Sequence, residues 1–167
     1  MTESAAAPTP PPVRLEAGEL APDFTLVDQH GEPFTLSQSR GRKVILYFYG
    51  EAGTPACTGQ ACDFRDRLDA FTAEGYEVVG VSRDEVPAIA KMARDEHLTF
   101  PLLADPDRHV HEQYGTYGQK QLYGRTVTGV IRATFVLDEE GRIALPLYNI
   151  KATGHVTMLR RKLKLPL

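Results

Sequence analysis

Cysteine is scarce in this chain: 167 residues carry only two, Cys57 and Cys62. Their spacing is not the CxxC of a dithiol oxidoreductase. No further CxxC or HxxxH tract supplies the two extra ligands that a tetrahedral zinc would need. Long hydrophobic runs are also missing. Stretches such as Val44 to Tyr49 fall far short of the roughly 20 residues that cross a bilayer. Charge of one sign is not in excess, the net value being −3, so nothing draws the chain toward nucleic acid or an anionic membrane. No internal repeat occurs, and the opening residues lack the basic-then-apolar pattern of a secretory signal. The expected compartment is therefore the reducing cytoplasm. There a cysteine pair serves catalysis, redox switching or metal binding more readily than a static disulfide.

What is present suits one domain with a real core. The hydrophobic fraction is 42% and the charged fraction 25%, which is the balance of a globular protein. Residues 1–14, rich in alanine and proline, read as a flexible or polyproline-like leader. Residues 15–167 read as a single domain. Asp23 to Val27 alternates like a half-buried strand. His30-Gly31-Glu32-Pro33 is turn chemistry, and Phe34 to Leu36 can return as a second strand, giving an N-terminal hairpin. Lys43 to Tyr49 is continuously apolar or aromatic, as in a strand buried on both faces at a sheet centre. From Cys57 to Glu74 the positions Ala61, Phe64, Leu68 and Phe71 share a helix face, and Gly75 is a natural stop.

Tyr76 to Ser82 reads as a second interior strand, and Asp84 to His97 as a helix. Phe100 to Leu103 is a short apolar segment, and Asp105 to Tyr114 a short helix whose His109 and His111 are expected at the surface. A loop spans 117–128. Val130 to Asp138 and Arg142 to Tyr148 form a late hairpin about Glu139-Glu140-Gly141. An amphipathic helix from Thr153 to Leu165 ends the chain, with Arg160, Arg161, Lys162 and Lys164 on a solvated flank. Strands alternating with helices imply a parallel centre, and the late hairpin adds antiparallel strands. The fold class is α/β, with a central mixed sheet flanked by helices, in the order of a thioredoxin-like fold.

Cys57 lies where an interior strand and a Gly/Pro loop lead into the first turn of a helix. Unpaired backbone N–H groups and the positive end of the helix dipole meet there. Both favour an anion, so the thiol is expected to be acidified into the range of activated cysteines, roughly 3.5–7.5. Thr54 offers a hydroxyl three residues earlier, and Pro55 stiffens the turn. Cys62 presents a geometric problem. Five residues apart on an intact helix, two Cα atoms are ~8.6 Å apart and their side chains point to different faces. A disulfide needs them within roughly 7 Å. The two thiols therefore bond only if the first helical turns unwind, which suits a catalytic cycle and not a permanent staple. On spacing alone, a pair of inert buried cysteines acting as small hydrophobes remains open.

The segment Thr54-Pro55-Ala56-Cys57-Thr58-Gly59-Gln60-Ala61-Cys62, followed by Phe64-Arg65-Asp66, resembles the active-site stretch of the peroxiredoxins. The nearest group is the peroxiredoxin Q, or bacterioferritin comigratory protein, type. Ala21-Pro22-Asp23-Phe24, Tyr47-Phe48-Tyr49, Tyr123-Gly124 and Val130 to Asp138 resemble further family segments in the right order. The resemblance implies a thiol peroxidase on a thioredoxin-like fold. It implies Cys57 as the peroxidatic cysteine, Cys62 as the resolving cysteine, Thr54 as the hydroxyl partner and Arg132 as the guanidinium beside the sulfur. Arg132 is expected on an interior strand, where an unpaired charge would be costly. The implied substrates are hydrogen peroxide and alkyl hydroperoxides, recycled by a thioredoxin- or glutaredoxin-like reductant in a monomer, with no metal, haem or flavin. A peroxide-sensing switch or binding module using the same thiol pair is the alternative. The family places a proline four residues before the threonine, in a P-x-x-x-T-x-x-C pattern. Gly50 stands there in this chain, removing the ring that shields the sulfur.

Overall fold

A computed structural model describes residues 14–122 and 124–165 of the chain. Residues 1–13 of the leader, and Tyr123 of the Tyr123-Gly124 pair, lie outside the described residues. Arg14 already packs, its guanidinium 4.5 Å from the centre of the Tyr148 ring.

The N-terminal hairpin forms from β1 (Thr25–Val27) and β2 (Pro33–Thr35), paired antiparallel. Its turn is held by Asp28, whose Oδ1 accepts the N–H groups of His30 and Glu32 at 2.8 and 3.0 Å. The interior strands are β3 (Lys43–Phe48), β4 (Tyr76–Ser82) and β5 (Leu102–Ala104), all parallel to one another. The helices between them are α1 (Pro55–Asp66), α2 (Leu68–Ala73) and α3 (Val86–Glu96). Next come α4 (His109–Gln113), β6 (Tyr117–Leu122), β7 (Arg125–Val130), β8 (Ala133–Leu137), β9 (Ile143–Tyr148) and α5 (His155–Lys162). The main sheet has seven strands in the order β2-β1-β5-β4-β3-β8-β9. Strands β8 and β9 are its antiparallel late hairpin. This is the expected mixed sheet with a parallel centre.

Strand β3 shows why the centre is apolar on both sides. Ile45 and Tyr47, with Tyr49 just beyond, face the cluster that also holds Phe64, Phe71, Ile89 and Leu159. Val44, Leu46 and Phe48 face the other cluster, with Phe24, Tyr114 and Phe135. Alternate side chains of one strand thus feed two hydrophobic layers. Close packing reaches its limit at Gly80 of β4. A Cβ there would lie 2.9 Å from two Tyr47 ring atoms and 3.0 Å from a Leu102 methyl.

Four expectations are corrected. The helix from Cys57 to Glu74 is two helices, breaking at Arg67 (φ −110°, ψ 7°), so that α2 lies along β4 while α1 packs toward α3 and α5. Apolar spacing continues across that break and gave no sign of it. Residues 117–128 form most of the hairpin β6–β7, a separate two-stranded sheet, and not a loop. Its polar residues lack the one-sided pattern of a core strand, although Gly124 at φ 77° is turn chemistry. His111 is fully buried and not at the surface, its Nδ1 2.7 Å from Asp105 Oδ2. Arg160 is buried as well, while Arg161, Lys162 and Lys164 are exposed.

Candidate active site

The site lies at the C-terminal end of β3. The chain leaves that strand at Gly50 and loops through Gly53, where φ is 85°, a value glycine adopts without strain. It then enters α1 at Pro55, with Thr54 extended at the N-cap. Pro at the first helical position suits its fixed φ and its missing N–H. Asp84, beyond the end of β4, pins this loop: its Oδ2 accepts the Ala52 N–H at 2.7 Å and the Ser82 hydroxyl at 3.0 Å. The loop therefore depends on a carboxylate thirty-two residues away.

Cys57 occupies the first turn of α1 and is buried. Two donors point at its sulfur. Arg132 Nη2 lies 2.8 Å from Sγ, and the Glu51 backbone N–H lies at 3.4 Å. Arg132 is not on an interior strand, as the sequence suggested. Strand β7 stops at Val130, β8 begins at Ala133, and Ile131–Arg132 forms the link. Ile131 donates to Thr116 O at 2.8 Å, so the chain turns aside before joining the main sheet. Because Ala133 is paired with Phe48, the link sits beside the end of β3 and brings the guanidinium to the sulfur.

Thr54 lies beside the site with its hydroxyl turned to the backbone of the loop. It donates to Glu51 O at 2.8 Å, closing the loop, and is not bonded to the sulfur. A cleft opens above, lined by Gly50, Glu51, Thr54, Arg83, Val130 and Arg132 among others. Gly50 leaves space over the thiol, for a Cβ there would be 3.6 Å from Cys57 Sγ and 3.5 Å from Arg132 Nη2.

Cys62 lies on the same helix, partly buried, and both cysteines are free thiols. Its Sγ donates to Glu96 Oε1 at 3.3 Å. Burial and that hydrogen bond to a carboxylate push the Cys62 thiol pKa up. The intact α1 thus keeps the two sulfurs on separate partners.

Sequence reading missed two site residues. Gln60 is buried and accepts from Arg132 Nη1 at 3.0 Å, holding the guanidinium in place. A polar residue three positions after Cys57, on the same helix face, was its available signal. His155 is buried at the start of α5, its Nε2 2.8 Å from Thr134 Oγ1. Burial, and then the charge of Arg132, lower its pKa to about 4. The imidazole is therefore neutral at pH 7 and adds no second charge beside Arg132. No local motif announced it.

The arrangement sets two donors on one buried sulfur beside a cleft, which suits thiol chemistry. Comparisons with known proteins agree with that chemistry. Residues 17–145 match the AhpC/TSA family model. The Mycobacterium tuberculosis protein Rv2521, provisionally named a peroxiredoxin, is 56% identical over 150 residues, covering 90% of this chain and 96% of the relative. Peroxiredoxin Bcp of Escherichia coli K12 is 39% identical over the same shares. A solved structure of a cysteine variant of Xanthomonas campestris peroxiredoxin Q superposes with a TM-score of 0.81 at 30% identity, covering 90% of this chain and 98% of that one. These matches make the chain a member of the AhpC/TSA family, among the thiol peroxidases of the Bcp and peroxiredoxin Q kind.

Proposed function

We propose that the chain reduces hydrogen peroxide and alkyl hydroperoxides with Cys57 as the peroxidatic cysteine and Cys62 as the resolving one. The observation that carries this reading is the 2.8 Å contact between Arg132 Nη2 and the buried Cys57 Sγ at the start of α1. A guanidinium and a backbone N–H at one sulfur favour the thiolate and can polarise an approaching peroxide oxygen. The Cys57 thiolate attacks one peroxide oxygen; an S–O bond forms, the O–O bond breaks, and the departing oxygen leaves as water or an alcohol after taking a proton. Cys57 is then a sulfenic acid, oxidised by two electrons.

Cys62 attacks that sulfur once the helix start has unwound. An S–S bond forms, the S–O bond breaks, and hydroxide combines with the Cys62 proton as water. A thioredoxin- or glutaredoxin-like dithiol restores both thiols by exchange and is itself oxidised. Alkyl peroxide reduction by the Xanthomonas campestris bacterioferritin comigratory protein, whose structure matches with a TM-score of 0.81, supports the inclusion of organic substrates. No helix of the described residues is long and apolar enough to cross a membrane.

The test is turnover coupled to thioredoxin and thioredoxin reductase. Wild-type protein is expected to sustain peroxide consumption under this couple and, with the reductant left out, to lose two free thiols for one peroxide reduced. Retention of full turnover by Cys57→Ser would remove the assignment. If peroxide oxidises the pair but no reductant sustains turnover, the thiol pair is a sensing switch instead.

A further inference from the structure

The proposed cycle asks α1 to be folded for the first step and unwound for the second. Two features bear on that exchange. Cys62 Sγ and Arg65 Nη1 both bind one residue, Glu96, the last of α3: Sγ to Oε1 at 3.3 Å, Nη1 to the carbonyl at 2.6 Å. Glu96 O belongs to the last turn of α3, just before His97 ends it in the left-handed conformation, where carbonyls lack intrahelical partners. Cys62 and Arg65 are three apart and share a helix face. The second half of α1 is thus stapled to the end of α3. Between the cysteines stands Gly59, an exposed helical residue. A Cβ on it would meet nothing within 4 Å, so packing does not require glycine there. Its remaining effect is to weaken the helix, by roughly the fivefold bias that separates Gly from Ala at an interior position.

We infer that Glu96 is a positioning residue that latches Cys62 onto the folded helix, and that release of this latch, eased by Gly59, sets the rate of disulfide formation. The inference rests on the proposed roles of Cys57 and Cys62. While latched, the thiol is protonated by its burial and its carboxylate partner, and so is a poor nucleophile. Once the turn unwinds, Cys62 leaves Glu96, regains ordinary acidity and reaches the sulfenic sulfur. The peroxide cleft shares no residue with the latch.

The experiment is a single-turnover measurement. Reduced protein is mixed with one equivalent of hydrogen peroxide and quenched over time, and sulfenic acid and disulfide are counted by mass. Glu96→Gln exchanges the charged acceptor of the Cys62 thiol for a weaker neutral one, Arg65→Met removes the other arm, and both are expected to speed disulfide formation about three- to tenfold, the range of one lost hydrogen bond. Gly59→Ala is expected to slow it about fivefold. Under excess peroxide, conversion of Cys57 to sulfinic acid should fall in the first two variants and rise in the third. In a Cys57→Ser background, Glu96→Gln should also shift Cys62 alkylation to lower pH.

Slower disulfide formation in Glu96→Gln would make the carboxylate a proton acceptor for Cys62 and overturn the latch. Equal rates in all three variants would overturn it as well. If wild-type protein forms no disulfide between Cys57 and Cys62, the proposed function itself fails.

Discussion

Replacing Gly50 with alanine separates two consequences of one missing side chain. The new Cβ would stand 3.5 Å from Arg132 Nη2 and 3.6 Å from Cys57 Sγ, ordinary contact distances that need no neighbour to move. Gly50 is not among the glycines with positive φ, so alanine suffers no backbone strain. Substitution at such a position restricts the unfolded chain and is expected to stabilise the protein by about 0.4–1 kcal/mol. In a domain of this size that is a rise of roughly 1–4 °C in Tm. The same methyl narrows the approach to the sulfur. Hydrogen peroxide should be little affected, whereas cumene hydroperoxide should lose about tenfold in kcat/KM, the lower end of what one methyl decides in a pocket. Calorimetry reads the first effect, and stopped-flow oxidation with the two peroxides reads the second. A fall in Tm would mean that the methyl does not fit. An unchanged ratio of the two kcat/KM values would mean that peroxides reach Cys57 from another side.

Arg132→Met removes the 2.8 Å donor to Cys57 Sγ and should slow sulfenic acid formation about tenfold to a hundredfold, as for loss of a charged hydrogen bond; rapid-quench mass spectrometry checks this. Gln60→Leu takes away the acceptor 3.0 Å from Arg132 Nη1 and should lower the same rate constant without abolishing it, measured in the same assay. His155 titrates near pH 4 in the folded protein against about 6.5 when unfolded, so the unfolded chain binds the extra proton between those values. Its contribution leaves stability intact above about pH 6.5 and removes about 3 kcal/mol as the pH falls to 4. Urea titrations at several pH values should show that slope, and His155→Gln should flatten it. Gly80→Ala forces a methyl to 2.9 Å from the Tyr47 ring and should cost about 1–3 kcal/mol in the same titrations.

Much of the site was legible because its signals are local. A strand end, a Gly/Pro loop and a helix start within ten residues of Cys57 place a thiol among unpaired N–H groups, and the structure has that order. The spacing of Cys57 and Cys62 already implied that they cannot bond on an intact helix, and both are free thiols there. Arg132 was legible by resemblance but misplaced, because the β-branched and apolar residues on both sides of it make Val130 to Asp138 read as one strand and hide the break at Ile131–Arg132. His111 and Arg160 were misjudged for a related reason. A polar side chain on a short helix looks solvated until a distant strand covers it, as Phe48 of β3 does for His111, their ring centres 5.1 Å apart. The β6–β7 hairpin was missed because its strands do not pack one apolar face on the core.

Sequence alone determined the periodicities, and with them the order of the core strands and the helices that join them, save the break at Arg67, because apolar spacing and turn residues act over a few neighbours along the chain. It also determined which sulfur would meet a helix N-terminus. Tertiary structure decided what no short stretch contains: that the link before β8 lands beside β3, that Gln60 holds the guanidinium there, and that Glu96 at the end of α3 holds Cys62. Those contacts join residues 34 to 75 positions apart, and only the packing of helices on a twisted sheet brings them within a hydrogen bond of each other.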